Sequence, residues 1–315
     1  MIQIQNLTKC FNDACAVDHI NLEIKKGEVL GLLGPNGAGK TTTLRMLTCY
    51  LAPTSGDIRV KGMSVREQPL EIKKLFGYLP ESAPVYPDML VYDFLNFVAS
   101  VRGLGSDRRE AQLREIADLC GLSDVMHKSV YELSKGYKQR VGIAHAMMSD
   151  PEILVLDEPT SGLDPNQIVD IRNLIKELGR KKTVILSTHI LSEAEATCDR
   201  IVIINKGTIV ADGDADQLKR EAGYGYGYGY GIDISLAVPD FETIKAAFVK
   251  LPGVRETVLT GVRDGVTDIT LSCATAEDLR PVVYGIIRQR DWPLLEFHRE
   301  TRSLENIFRE LTKEN

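Results

Sequence analysis

Three stretches hold residue types and spacings suited to phosphate chemistry. In the first, Gly34, Asn36, Gly37, Ala38 and Gly39 lead into Lys40, Thr41 and Thr42. Glycines without a Cβ let the backbone wrap closely around a polyphosphate. Amide groups at the mouth of a following helix then face the anion. Lys40 is suited to neutralising the terminal phosphates, and the Thr41 hydroxyl to holding Mg2+. In the second stretch, the apolar run Ile153 to Leu156 ends in two carboxylates. Asp157 suits the organisation of a hard cation, and Glu158 suits a base for an attacking water. The third run, Thr183 to Thr188, ends in His189, whose register matches that of Glu158 as a strand terminus on the same side of a sheet.

These groups need a scaffold, and the flanking residues supply its pattern. Val29 to Leu33 is an apolar, strand-sized run, and Leu44 to Leu47 reads as helix. Strand, glycine-rich loop and helix is the context of a phosphate-binding loop. Buried strands that deliver acids at their C-terminal ends belong to an open α/β sheet. Residues 1–28 alternate apolar and polar, as half-exposed antiparallel strands do. Phe11 sits there beside a turn signal, open to stacking on a purine or to core packing. Strand-like runs at 58–60 and 75–79 follow, the second ending in Pro80-Glu81. Residues 82–132 change to helical spacing, with Leu90, Phe94, Val98 and Val101 on one face and Leu113, Ile116, Ala117 and Cys120 on another, both readable as core packing. Ser134 is placed to cap a helix running through Met148.

The 315 residues, 43% apolar and 26% charged, suit a soluble globular chain of about two domains. No apolar run approaches the ~18 residues of a membrane span, and the N-terminus lacks the features of a secretory leader. Six cysteines (10, 15, 49, 120, 198 and 273) are scattered without a C-x-x-C pair. The expectation is reduced thiols in a cytosolic protein, with neither a disulfide framework nor a metal cluster. A net charge of −6 argues against a nucleic-acid partner.

In order, the phosphate loop, Tyr78 to Glu81, Leu133-Ser134-Lys135-Gly136, Leu156-Asp157-Glu158-Pro159, Ser161 to Asp164 and His189 together resemble an ATP-binding cassette (ABC) ATPase. The resemblance covers residues 1 to about 218. It implies an adenine-stacking role for Phe11, a phosphate cradle from Asn36 to Thr42, and Mg2+ at Thr41, Asp157 and Glu81. It also implies Glu158 as general base, His189 as the γ-phosphate sensor and Asp164 as the acid of the intervening loop. Ser134 and Gly136 look like the signature that contacts ATP bound by a second subunit. The implied protein is the ATP-hydrolysing subunit of an ABC transporter, a homodimer that powers a separate integral membrane permease. Its implied location is cytoplasmic, peripheral on the inner face of the cell membrane. The family's usual signature is Leu-Ser-Gly-Gly-Gln, whereas this chain has Lys135 and Tyr137, and Glu81 stands where the family has glutamine. These replacements resemble export-type cassettes of the drug, lipid, polysaccharide or gliding-motility branches. Glu81 and the altered signature leave open a nucleotide-gated module with little hydrolysis. Soluble cassettes acting on DNA or ribosomes fit less well, because only 92 residues separate Lys40 from Leu133 and the chain has one cassette.

The fold expected is therefore an α/β P-loop ABC ATPase core at 1–218, with a mixed sheet and a helical subdomain at about 82–132. A small α+β ferredoxin-like domain follows at 232–315, in the order strand, helix, strand, strand, helix, strand, helix. The glycine–tyrosine repeat in 219–231 reads as a flexible linker or the lead-in to an edge strand. Leu304, Ile307, Phe308 and Leu311 give the last helix an apolar face. With no clustered acids, histidines or cysteines, this domain is expected to carry no chemistry and to regulate or support a dimer.

Overall fold

The computed structural model describes residues 1–218, 230–238, 240–263, 265–275, 277–300 and 304–312. The chain divides into two units, the first spanning Met1–Ala215 and the second beginning at Asp216. The division falls slightly ahead of the boundary expected at Leu218.

In the first unit, β1 (Ile2–Phe11) and β2 (Ala14–Ile24) pair antiparallel, and β4 (Ser55–Val60) and β5 (Met63–Ser64) complete a four-stranded sheet in the order β2-β1-β4-β5. The second sheet has the order β10-β9-β3-β8-β7-β6, built from β3 (Val29–Leu33), β6 (Phe76–Leu79), β7 (Ile153–Asp157), β8 (Thr183–Thr188), β9 (Arg200–Asn205) and β10 (Thr208–Gly213). Strands β9, β3, β8, β7 and β6 run parallel, and β10 pairs antiparallel with β9. Both faces of this sheet are covered, which explains its continuous apolar runs. Leu30, Leu32, Ile153, Val155 and Ile185 pack into one core with the antiparallel sheet and α1 (Lys40–Leu47). Their neighbours Val29, Leu154, Leu156, Val184 and Leu186 pack into the other, with the helical segment. Period-two side-chain alternation thus divides each strand between two cores.

Helices α2 (Pro69–Leu75), α3 (Val91–Val101), α4 (Ser106–Leu119) and α5 (Lys135–Met147) lie between β5 and β7. The stripes read from sequence bury as expected at Phe94, Val98, Leu113, Ile116, Ala117 and Cys120, whereas Leu90 and Val101 are exposed. Helices α6 (Pro165–Gly179) and α7 (Leu191–Thr197) follow β7 and β8.

One expectation fails in the first hairpin. Cys10 and Cys15 are joined by a disulfide, not held as reduced thiols. They are direct partners in the β1/β2 register, with Phe11 and Ala14 closing the turn between them. The five-residue spacing conceals a pair because the turn, not the spacing, brings the two side chains together.

The second unit is an antiparallel sheet in the order β12-β13-β11-β14. Its strands are β11 (Tyr230–Leu236), β12 (Val254–Arg263), β13 (Val266–Cys273) and β14 (Leu294–Glu300), with helices α8 (Phe241–Phe248), α9 (Arg280–Gln289) and α10 (Leu304–Thr312). The order and connectivity are ferredoxin-like. Ile232, Ile234, Phe248, Ile269, Leu271, Val283 and Ile287 form its own core. Tyr230 and Gly231, expected in the linker, belong to β11, which is an internal strand and not an edge. Residues 219–229, and the side chains of Leu304 and Ile307, lie outside the described residues. Helix α9 starts at Arg280, with Pro281 in its first turn.

Candidate phosphate and hydrolytic site

Parallel strands place their C-terminal ends on one edge, and four adjacent strands bring the candidate residues there. Leu33 is level with Thr188, Asp157 with Ser187, and Leu79 with Leu156. The phosphate loop leaves β3, the two acids end β7, His189 follows β8 and Glu81 follows β6. This is the topological position where an open α/β sheet holds its ligand.

An open cavity of about 460 Å3 lies at this edge. Asn36, Gly37, Ala38, Gly39, Lys40, Thr41, Thr42, Glu81, Glu158 and His189 line it, all anticipated from sequence. Ala16 and Ser161 also line it and were not anticipated. Phe11, Asp164, Ser134 and Gly136 are not among the lining residues. Gly39 has φ 106°, and a Cβ there would stand 2.3 Å from the Ala16 carbonyl oxygen, so only glycine fits the mouth of α1.

Lys40 is buried, and its Nζ donates to the Gly34 and Pro35 carbonyls at 2.8 and 3.2 Å. It also lies 3.3 Å from Glu158 Oε1. The other Glu158 oxygen, Oε2, is 2.7 Å from His189 Nδ1. Glu158 has φ 50°, a conformation uncommon outside glycine and found at functional turns. Its backbone N–H donates to Ser187 Oγ at 2.9 Å, and that hydroxyl donates to Asp157 Oδ1 at 2.6 Å. The Thr41 hydroxyl donates to the same oxygen at 3.1 Å. Asp157 Oδ2 is buried with no hydrogen-bond partner among the described residues. Burial pushes the Asp157 pKa up; the Ser187 and Thr41 hydrogen bonds oppose the shift, and the charges of Glu158 and Glu81 add to it. A divalent cation would relieve this buried carboxylate, and Asp157 and Thr41 offer the hard oxygen donors that Mg2+ takes. Among the described residues there is no ready cluster of three or more His, Cys, Asp or Glu for a metal.

Away from the cavity, Ser134 caps α5 and accepts from the Tyr137 N–H. Gly136 lies so close to Gln167 that a Cβ would meet its amide carbon at 2.7 Å. Asp164 caps α6 by accepting from the Gln167 N–H at 3.0 Å. The signature loop therefore rests on the loop that follows Glu158, and the Lys135 ammonium lies against Gly162. Phe11 is half exposed on the hairpin, with Lys9 Nζ 5.2 Å from its ring centroid.

The comparisons with known proteins agree on what such a site belongs to. The ABC transporter family model matches residues 17–161. The uncharacterized ABC transporter ATP-binding protein YxlF of Bacillus subtilis is 38% identical over 221 residues, covering 70% of this chain and 73% of that protein. This chain belongs to the ABC transporter ATP-binding protein family. The daunorubicin resistance ATP-binding protein DrrA3 of Streptomyces coeruleorubidus is 33% identical, over 91% of this chain and 87% of that protein, so its likeness extends into the second unit. Among solved structures, the ATP-binding cassette MJ0796, described as a dimer in a post-hydrolysis state bound to ADP and Pi, matches with a TM-score of 0.62. It is 25% identical, over 68% of this ABC chain and 98% of that one. The chain is accordingly an ATP-binding ABC ATPase. Among its described residues no helix is long and apolar enough to cross a membrane.

Proposed function

We propose that this ABC ATPase hydrolyses Mg·ATP as a homodimer that drives export through a separately encoded membrane permease, working at the inner face of the cell membrane. The observation that carries the reading is the division of the site. The cavity gathers Lys40, Thr41, Glu158 and His189, while Ser134 and Gly136 of the same chain lie elsewhere. A second copy is then needed to bring its signature to the phosphates. Lys40 and the loop amides of Asn36 to Thr42 bind and orient the terminal phosphates, and Phe11 stacks on the adenine. Asp157, Thr41 and Glu81 would hold Mg2+, which when bound neutralises charge on the phosphates. Glu158 accepts a proton from the attacking water as the γ-phosphate bond to ADP breaks. His189 orients Glu158 through Nδ1. Donating from Nε2 to a phosphate oxygen as well requires both ring nitrogens to carry protons.

Docking to the permease is assigned to the exposed Tyr86, Leu90, Tyr92 and Phe97 of the helical segment. The likeness to DrrA3, a daunorubicin resistance ATP-binding protein, supports the export branch. The second unit is assigned a role in holding or regulating the dimer. A nucleotide-gated module with slow turnover is the second reading, favoured by the acidic Glu81 in the cavity.

Steady-state ATPase activity with and without Mg2+, beside Glu158→Gln, tests the proposal. The expected result is metal-dependent turnover that the variant loses by about 100-fold or more while it traps an ATP-bound dimer. ATP-dependent dimerisation with no turnover above the variant, even with permease in liposomes, selects the gated module instead.

A further inference from the structure

Glu193 on α7 is 6% exposed and ties together the two loops that carry the hydrolytic pair. Its Oε2 accepts from the Thr160 hydroxyl at 2.5 Å and from the Thr188 hydroxyl at 3.2 Å. Thr160 lies in the turn after Glu158, and Thr188 is the last residue of β8, directly before His189. The Thr188 hydroxyl also accepts from the Ile190 N–H at 3.0 Å, so it brackets the backbone of His189. Glu193 Oε1 is buried with no hydrogen-bond partner among the described residues. Burying a carboxyl with only two neutral hydroxyl donors gains little for folding. Its geometric effect is specific, because one oxygen fixes the turn after the general base and the strand end before the histidine.

We infer that Glu193 is a positioning residue that sets the 2.7 Å approach of Glu158 to His189. The inference rests on the reading of those two residues as the hydrolytic pair. It requires an acceptor at residue 193 and not merely bulk. Glutamine retains a carbonyl oxygen able to accept both hydroxyls, whereas leucine has similar volume and no acceptor.

The test compares Glu193→Leu with Glu193→Gln in the full chain, reading kcat, the Kd for ATP and the His189 ring resonances by NMR. Glu193→Leu is expected to lower kcat by about tenfold or more through misplacement of the pair. Its Kd should stay within about twofold, since the phosphate loop is untouched. Its His189 resonances should shift towards those of Glu158→Gln. Glu193→Gln should restore kcat to within about threefold of wild type and keep the wild-type resonances. Thr160→Val combined with Thr188→Val should reproduce Glu193→Leu, and adding Glu193→Leu should then cost little more. A folded Glu193→Leu with wild-type kcat and resonances overturns the inference, as does a loss of ATP affinity in proportion to kcat. If Glu158→Gln itself retains turnover, the assignment of the base fails, while the resonances still report separately whether Glu193 places the pair.

Discussion

Asp157 combines full burial with uneven satisfaction: Oδ1 receives two hydroxyl hydrogen bonds, and among the described residues Oδ2 receives none. Its pKa is raised chiefly by burial, so the folded protein favours the neutral carboxyl relative to the unfolded chain. The contribution of this group to stability is therefore full below the free-carboxylate value and is lost as pH rises through the raised one. Asp157→Asn removes that loss. At pH 7 and without metal, the variant should melt at a higher temperature than wild type. The gain should shrink as pH is lowered through the Asp157 pKa, where the wild-type carboxyl is already neutral. Metal-dependent hydrolysis should fall to background in the same variant. Melting curves at pH 7 and pH 4, beside an ATPase assay, check both halves. The phosphate loop, both acids and His189 were legible in the sequence because each follows a strand-sized apolar run within its own segment. Ser187 and Glu193 were not, because a hydroxyl or carboxyl acquires its partners only when the register of β7 and β8 is fixed.

Helix α5 runs from its cap at Ser134 to Met147, and His145 lies near its end. The His145 ring stacks on Phe94 of α3, with centroids 5.9 Å apart, and Phe94 contacts Tyr86 edge to face. Burial, with a smaller effect from Arg102, lowers the His145 pKa from its usual 6.5 to about 4. The folded state therefore keeps this ring neutral. The stability it contributes is full above pH 6.5 and is lost as pH falls towards 4, on the order of 3 kcal/mol in all. His145→Leu should flatten the fall in stability over that interval relative to wild type. Urea melts at pH 7, 5.5 and 4 measure the difference; parallel curves for the two proteins would contradict the assignment. The apolar stripes of α3 and α4 were readable by their spacing, although Leu90 and Val101 fell at the margins and stayed exposed. The Cys10–Cys15 bond escaped notice for a different reason. Pairing across a hairpin depends on where its turn closes, and a turn signal beside Phe11 does not fix the register that sets Cys10 opposite Cys15.

At the scale of the whole molecule, the two units have separate cores and separate sheets. Every residue lining the phosphate cavity belongs to the first unit. The ferredoxin-like order was legible because alternating strands and amphipathic helices recur at short spacing after residue 230. The start of its first strand was hidden by the Gly–Tyr repeat, whose last two residues, Tyr230 and Gly231, are drawn into β11 between two neighbours. Ligand binding stabilises only the structure that forms the site. With Glu158→Gln to prevent turnover, Mg·ATP at 100 times its Kd adds about 2.7 kcal/mol to the first unit. That corresponds to an upward shift of about 5–10 °C. Differential scanning calorimetry of the full chain should therefore resolve two transitions, of which nucleotide moves one and leaves the other in place. A single transition that moves as a whole would mean that the two cores unfold as one cooperative block, and that ATP binding is coupled energetically to the ferredoxin-like unit.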